Sequence, residues 1–189
     1  EAIDCVRRYL SFFQGPGRPS DEVPDTAALR RLVPENPRRA YDVRKVIEGI
    51  ADLDSVLELR PRFARAAVTA LAKVQGVPVG VLANQPMHQA GAIDSPTSDK
   101  LARFIQLCDA HDIPMLYLCD TPGLMVGPEV EATALVRHSS RILNAAVNAT
   151  TPFMTVILRK AYGLGQYMMG ALPLKPALLV GWPTAEFGA

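Results

Sequence analysis

Apolar runs and amphipathic stretches alternate along the chain, and that alternation predicts its elements. Ile3, Val6, Leu10 and Phe13 recur at helical spacing and predict an opening helix. The stretch that follows carries Pro16, Pro19, Pro24, Pro34 and Pro37; these leave room for a short helix around 27–32 and otherwise predict a linker. Asp42 can cap a helix whose apolar face is Val43, Val46, Ile47 and Ile50. "SVLELRP" predicts a short strand, and "AAVTALAKV" and "VPVGVLANQP" flank Gln75-Gly76 as the arms of a hairpin buried on both faces.

From Ser98 as N-cap, "SDKLARFIQLCDAHD" places Leu101, Phe104, Ile105 and Cys108 on one stripe of a helix. The buried strand "IPMLYLCD" comes next, followed by a long helix over "GPEVEATALVRHSSRILNAAVNAT" with Leu135, Ile142, Leu143 and Ala146 facing inward. "FMTVIL" is a further strand, a glycine run opens a third helix, and "ALLVGW" is a last strand. Helices alternating with apolar strands predict an α/β layered domain, with crossovers long enough to make neighbouring strands parallel. In such a domain, sites form where strands end and helices begin.

Composition narrows the classes. With 49% hydrophobic and 21% charged residues, the chain is globular rather than disordered. A net charge of +1 argues against a polyelectrolyte surface for nucleic acid. No apolar run is long enough to span a bilayer, so no membrane role is expected and a cytoplasmic protein is. Cys5, Cys108 and Cys119 lie far apart without zinc-ligand spacing, so they read as small core residues in a reducing compartment and no metal is expected. The chain begins inside a helical pattern and reads as a segment of something longer.

Three stretches carry candidate chemistry. "DTPG", Asp120 to Gly123, follows an apolar strand as in the switch segment of GTP-binding proteins, but a phosphate-cradling G-x-x-x-x-G-K-[ST] loop is missing from the sequence; a plain Pro-Gly turn is the alternative. His88, His111 and His138 have no G-x-S-x-G elbow to serve and read as surface or structural residues. In "RKAYGLGQYMMG" the glycines are out of register for a dinucleotide fingerprint. Glycines after a buried strand nevertheless imply a close approach to the backbone, and the amides opening the helix can hold developing negative charge.

Taken together, "NQPMHQAGAIDSPTSDKLARFIQLCDAHDIPMLYLCDTPG", "TVILRKAYG" and "WPTAE" resemble the C-terminal half of the carboxyltransferase component of biotin-dependent acyl-CoA carboxylases, the propionyl-CoA and acetyl-CoA carboxylase β-subunit group. The resemblance implies a crotonase-like spiral of β-β-α units. It divides the chain into 1–14 as the trailing helix of an N-terminal half, 15–40 as a Pro-rich linker, and 41–189 as a C-terminal carboxyltransferase domain cut short at its end. It implies transfer of a carboxyl group from carboxybiotin to the α carbon of an acyl-CoA, with the backbone amides of Leu164 and Gly165 as oxyanion donors, Gly163 and Gly165 admitting the biotin ring, and Tyr167 at a position linked with acyl-chain preference. The implied partners are the biotin carboxyl carrier and biotin carboxylase components, and the N-terminal carboxyltransferase half of another subunit in a homo-oligomer. A non-catalytic assembly subunit and a nucleotide-binding domain using "DTPG" are the rival readings.

Overall fold

The computed structural model describes residues 2–19, 25, 27–36 and 38–188; part of the expected linker, with Pro24 and Pro37, lies outside them. The opening helix, α1 (Ala2–Leu10), forms as the periodicity predicts, but its stripe of Ile3, Val6 and Leu10 is exposed. Phe12, just beyond it, is buried in the core, and the Arg8 guanidinium donates to the carbonyls of Asp54 and Val56. A single turn, α2 (Leu29–Leu32), is the helix allowed between the prolines. Asp42 caps α3 (Val43–Ile50), accepting the Arg44 N–H at 3.1 Å.

The strands are β1 (Leu57–Leu59), β2 (Ala67–Val74), β3 (Val77–Asn84), β4 (Met115–Thr121), β5 (Phe153–Tyr162), β6 (Leu178–Gly181) and β7 (Glu186–Gly188), in the sheet order β1-β2-β3-β4-β5-β6 with β7 also pairing β5. The hairpin of β2 and β3 turns on Gln75 and Gly76, both at positive φ, the geometry of a tight two-residue turn that follows the sheet's twist. Asp52 fixes this turn by accepting both N–H groups, at 2.9 and 2.8 Å. From β3 onward all pairs are parallel, as the helical crossovers require.

Two helices differ from expectation. The helix after β3, α4 (Ser95–Ala110), starts one turn before Ser98: Asp94 is the N-cap and accepts the Thr97 N–H at 2.9 Å. Pro96 falls in the first turn, where its missing N–H costs nothing. The expected long helix after β4 is broken into α5 (Pro128–Glu131) and α6 (Leu135–Asn148), with Ala134 left-handed between them. The Thr133 hydroxyl donates to the Val130 carbonyl and meets Ser95 Oγ at 2.6 Å, an alternative to continuing the helical ladder. The helix after β5 is the short α7 (Gly163–Met168).

The sheet buries both faces. One packs on α4 and α6 through Leu101, Phe104, Ile105, Cys108 and Ile142; the other lies under α3 through Val43, Val46 and Ile47. Cys108 and Cys119 are buried and Cys5 is exposed. The pairing of β4 with β5 jumps: Cys119 is opposite Ile157, but Thr121 is opposite Ala161. Beyond the jump a second, shorter register begins, in which Ile93 bridges Leu124 and β5 pairs β7 instead of β6. Each of β3, β4 and β5 is therefore followed by a short second pairing segment and then by a helix. This is the β-β-α unit repeated along the spiral.

Candidate functional site

The turn from Tyr162 to Gly165 closes the second register of β5 at the C-terminal end of the parallel strands, where helix amides point out of the sheet. Gly163 is left-handed at φ +50, a conformation that disfavours any residue with a Cβ, and its side-chain position faces open space. Gly165 is buried, and a Cβ there would stand 2.7 Å from Gly123 Cα and 3.1 Å from Thr121 Cγ2. The two glycines therefore have different reasons. At Gly165 the backbone of the neighbouring Asp120–Gly123 loop is what approaches; the side open to a ligand is at Gly163.

Leu164 is 48% exposed and Tyr167, one turn on along α7, is 40% exposed, so both flank the turn from outside. The N–H groups of Leu164 and Gly165 belong to the first turn of α7, which has no intrahelical acceptor for them, and no other backbone acceptor for them is found among the described residues. The expected donors are thus adjacent in one helix-opening turn, with Leu164 exposed and Gly165 buried. The hollow of about 420 Å³ lined by Ala146, Phe153, Pro173 and Leu174 lies at the opposite end of β5.

Beneath the turn is a polar cluster that sequence reasoning weighed only as separate motifs. Asp120 is fully buried at the register jump. Its Oδ2 accepts from Arg159 Nε at 3.1 Å, and its Oδ1 accepts from the Lys160 N–H at 3.2 Å with Lys160 Nζ at 3.5 Å. Arg159, 2% exposed, also donates to the carbonyls of Asn36 and Arg39 and lies over the Tyr41 ring, 5.1 Å from its centroid. Burial first, and then the Asp120 charge, hold the Tyr41 phenol above its ordinary range. Lys160 Nζ reaches the Ala90 carbonyl at 3.0 Å, and Asn84 Oδ1 accepts the Asp120 N–H at 3.2 Å, so the C-terminal ends of β3, β4 and β5 and the loop after β3 are tied together.

This arrangement removes the nucleotide reading of "DTPG". The Asp120 carboxylate is engaged by two cations of its own chain, and the Gly123 N–H is donated to Thr121 Oγ1 at 3.1 Å. The histidines stand apart: His138 bonds Asp99 on the α4–α6 face at 2.8 Å, His111 packs edge-on to Phe13, and His88 is a half-buried loop residue. Among the described residues, no group of three His, Cys, Asp or Glu could hold a metal ion, and no helix is long and apolar enough to cross a membrane.

Comparison with known proteins gives one direction. The carboxyl transferase domain profile matches residues 1–189. A putative propionyl-CoA carboxylase beta chain of Bacillus subtilis is 40% identical over 190 residues, covering 98% of this chain and 38% of that protein. A biotin-dependent long chain acyl-coenzyme A carboxylase beta4 subunit of Mycobacterium tuberculosis is 38% identical, covering 98% and 37%. Among solved structures, a single-chain, multi-domain long-chain acyl-CoA carboxylase superposes with a TM-score of 0.95 at 45% identity, over 99% of this chain and 19% of that one. The chain thus spans well under half the length of the proteins it matches.

Proposed function

Because the chain belongs to the carboxyl transferase domain family, with its crotonase-like α/β fold, we propose that it supplies the biotin-side part of an acyl-CoA carboxyltransferase centre. The observation that carries this is the pair of first-turn amides at Leu164 and Gly165, unpaired with backbone among the described residues and next to Gly163, whose side-chain position opens onto free space. They fit the ureido group of biotin, which needs two donors on one oxygen and room for a ring above a residue without a side chain. Carboxybiotin, delivered by a carrier protein, supplies the carboxyl group; an acyl-CoA accepts it at the α carbon.

The role of this chain is electrostatic. Charge grows on the ureido oxygen as the carboxyl group leaves, and two fixed N–H groups stabilise that charge more in the transition state than in the ground state. They need no reorganisation at the moment of reaction. No side-chain acid or base is required: the biotin nitrogen can take the proton. Exposure of Leu164 and Tyr167 leaves one wall of the site unbuilt within this chain, which supports completion by the N-terminal carboxyltransferase half of another subunit in a homo-oligomer. Tyr167, exposed one turn on from Leu164, is the residue we assign to the acyl chain, and the Met168 and Met169 that follow it are buried.

The exposed stripe of α1 supports the division into a trailing helix of a preceding half (1–14), a linker (15–40) and the carboxyltransferase domain from 41. Biotin carrier and biotin carboxylase components are the further partners, and the cytoplasm the expected compartment. The test is transfer from a malonyl-type CoA ester to free biotin by the assembled full-length enzyme. Leu164→Pro deletes one donor in the first turn of α7 and lowers the rate by about 10²-fold or more. An enzyme that transfers nothing to biotin, or a variant with the wild-type rate, refutes the assignment.

A further inference from the structure

Arg159 and Lys160 are adjacent on β5, and on a regular strand adjacent side chains point to opposite faces. Both nevertheless reach one carboxylate, that of Asp120, because four steps of β5 (Ile157 to Ala161) are set against two of β4 (Cys119 to Thr121). The extra residues form a bulge, and bulges re-aim the chain that follows them. Here the chain that follows is the Tyr162–Gly165 turn. Asp120 accepts the Lys160 main-chain N–H inside the bulge, two residues before that turn, and the loop it opens places Gly123 under Gly165. Asp120 therefore bears on the turn from two directions: its carboxylate holds the β5 backbone, and the chain that continues from it carries the Gly123 backbone against Gly165.

We propose that Asp120 is a positioning residue for carboxyl transfer: by accepting the Lys160 N–H it sets the phase of the β5 bulge and so the direction of the Leu164 and Gly165 amides. The inference rests on the reading of those amides given above. It assigns a role to "DTPG" that needs no phosphate and no metal. Arg159 neutralises the carboxylate, and its bonds to the Asn36 and Arg39 carbonyls fix where that charge lies.

Removing Asp120 alone leaves the Arg159 charge buried and unpaired, which endangers folding. The test therefore compares two double variants of the assembled enzyme. Asp120→Leu with Arg159→Met removes the ion pair and the acceptor; Asp120→Asn with Arg159→Met removes the ion pair but keeps an acceptor for the Lys160 N–H. Transfer from a malonyl-type CoA ester is measured to free biotin and to its analogue with sulfur in place of the ureido oxygen. The ratio of the two rates does not depend on how much enzyme is folded.

The Leu/Met variant is expected to transfer to biotin about 10²-fold more slowly, as for donors misplaced by an ångström, with its preference for biotin over the sulfur analogue reduced and the KM for the CoA ester unchanged. The Asn/Met variant recovers most of the rate and of the preference. Equal losses on both acceptors with the preference intact, or an Asn/Met variant no better than the Leu/Met one, overturn the positioning role. A wild-type enzyme without transfer to biotin instead overturns the reading on which it rests.

Discussion

Gly165→Ala tests whether two backbones in contact hold the turn in place. The added Cβ would stand 2.7 Å from Gly123 Cα, 3.1 Å from Gly123 C and 3.1 Å from Thr121 Cγ2. Carbon atoms in comfortable contact are about 3.5–4.0 Å apart, so one of the two loops must withdraw by roughly 0.8 Å or more. Gly123 is not free to do so. Its N–H is bonded to Thr121 Oγ1, its carbonyl accepts from the Ile93 N–H at 3.0 Å, and it is held at φ +120. Overpacking of this kind costs about 1–3 kcal/mol, against at most about 1 kcal/mol returned by replacing glycine with alanine inside a helix.

A net loss of roughly 1–2 kcal/mol lowers the melting temperature by about 2–8 °C for a domain of this size. The effect on transfer is larger. On the function proposed above, movement of the Leu164 and Gly165 amides by about 1 Å costs on the order of 10²-fold in rate, while the KM for the CoA ester stays where it was. The assay is carboxyl transfer to free biotin beside thermal unfolding, on Gly165→Ala and on Gly165→Ala with Thr121→Ser. Serine keeps the hydroxyl that binds the Gly123 N–H and removes the Cγ2 contact, so part of both losses returns. A Gly165→Ala enzyme with wild-type melting and wild-type rate refutes the argument, because it would mean that the two loops do not bear on each other.

Two further predictions concern pH. Lys100 is buried and donates to the carbonyls of Phe63 and Ala67 at 2.9 and 2.7 Å, and burial pushes its ammonium from 10.5 down to about 8. Between those values the unfolded chain holds a proton that the folded chain has released, so this group's contribution to stability rises with pH; Lys100→Met removes that rise, read as melting temperature against pH for the two proteins. At the acid end, partial burial is outweighed at Asp109 by the N–H groups of Thr151 and Thr150, and its carboxylate is held below the ordinary range. Its stabilisation is present above the unfolded value near 3.8 and lost as pH falls through the lower folded value, so Asp109→Asn is less stable than wild type at pH 7 and the gap closes on acidification.

The elements were legible where periodicity is strong. The stripe of Leu101, Phe104, Ile105 and Cys108 and the apolar runs of β2 to β5 are buried as read, save Val77 and Met154 near the strand starts. Helix starts were less legible because Asp94 and Ser98 are both plausible caps, and a proline in the first turn reads as a breaker until the cap is known. The break at Ala134 had no signal in the apolar pattern at all, since it comes from a hydroxyl contact between Thr133 and Ser95 across elements.

The site shows a different limit. An apolar run records burial but not the strand against which it is paired, so the jump between Cys119 and Thr121 is invisible in "MLYLCDTPG". What does leave a trace is the polar residue that ends each run: Asn84 after "VGVLA", Asp120 after "MLYLC", Arg159 after "TVIL". These three lie together across β3, β4 and β5, and their hydrogen bonds hold the place where each strand leaves the first register for the second. A buried polar side chain without partners is costly, so a strand that spends one at its end does so where another strand spends one too. The glycine beside it follows the same logic. Gly165 announces in sequence that something comes close, but only the fold shows that it is Gly123 from the neighbouring loop; the open space is at Gly163.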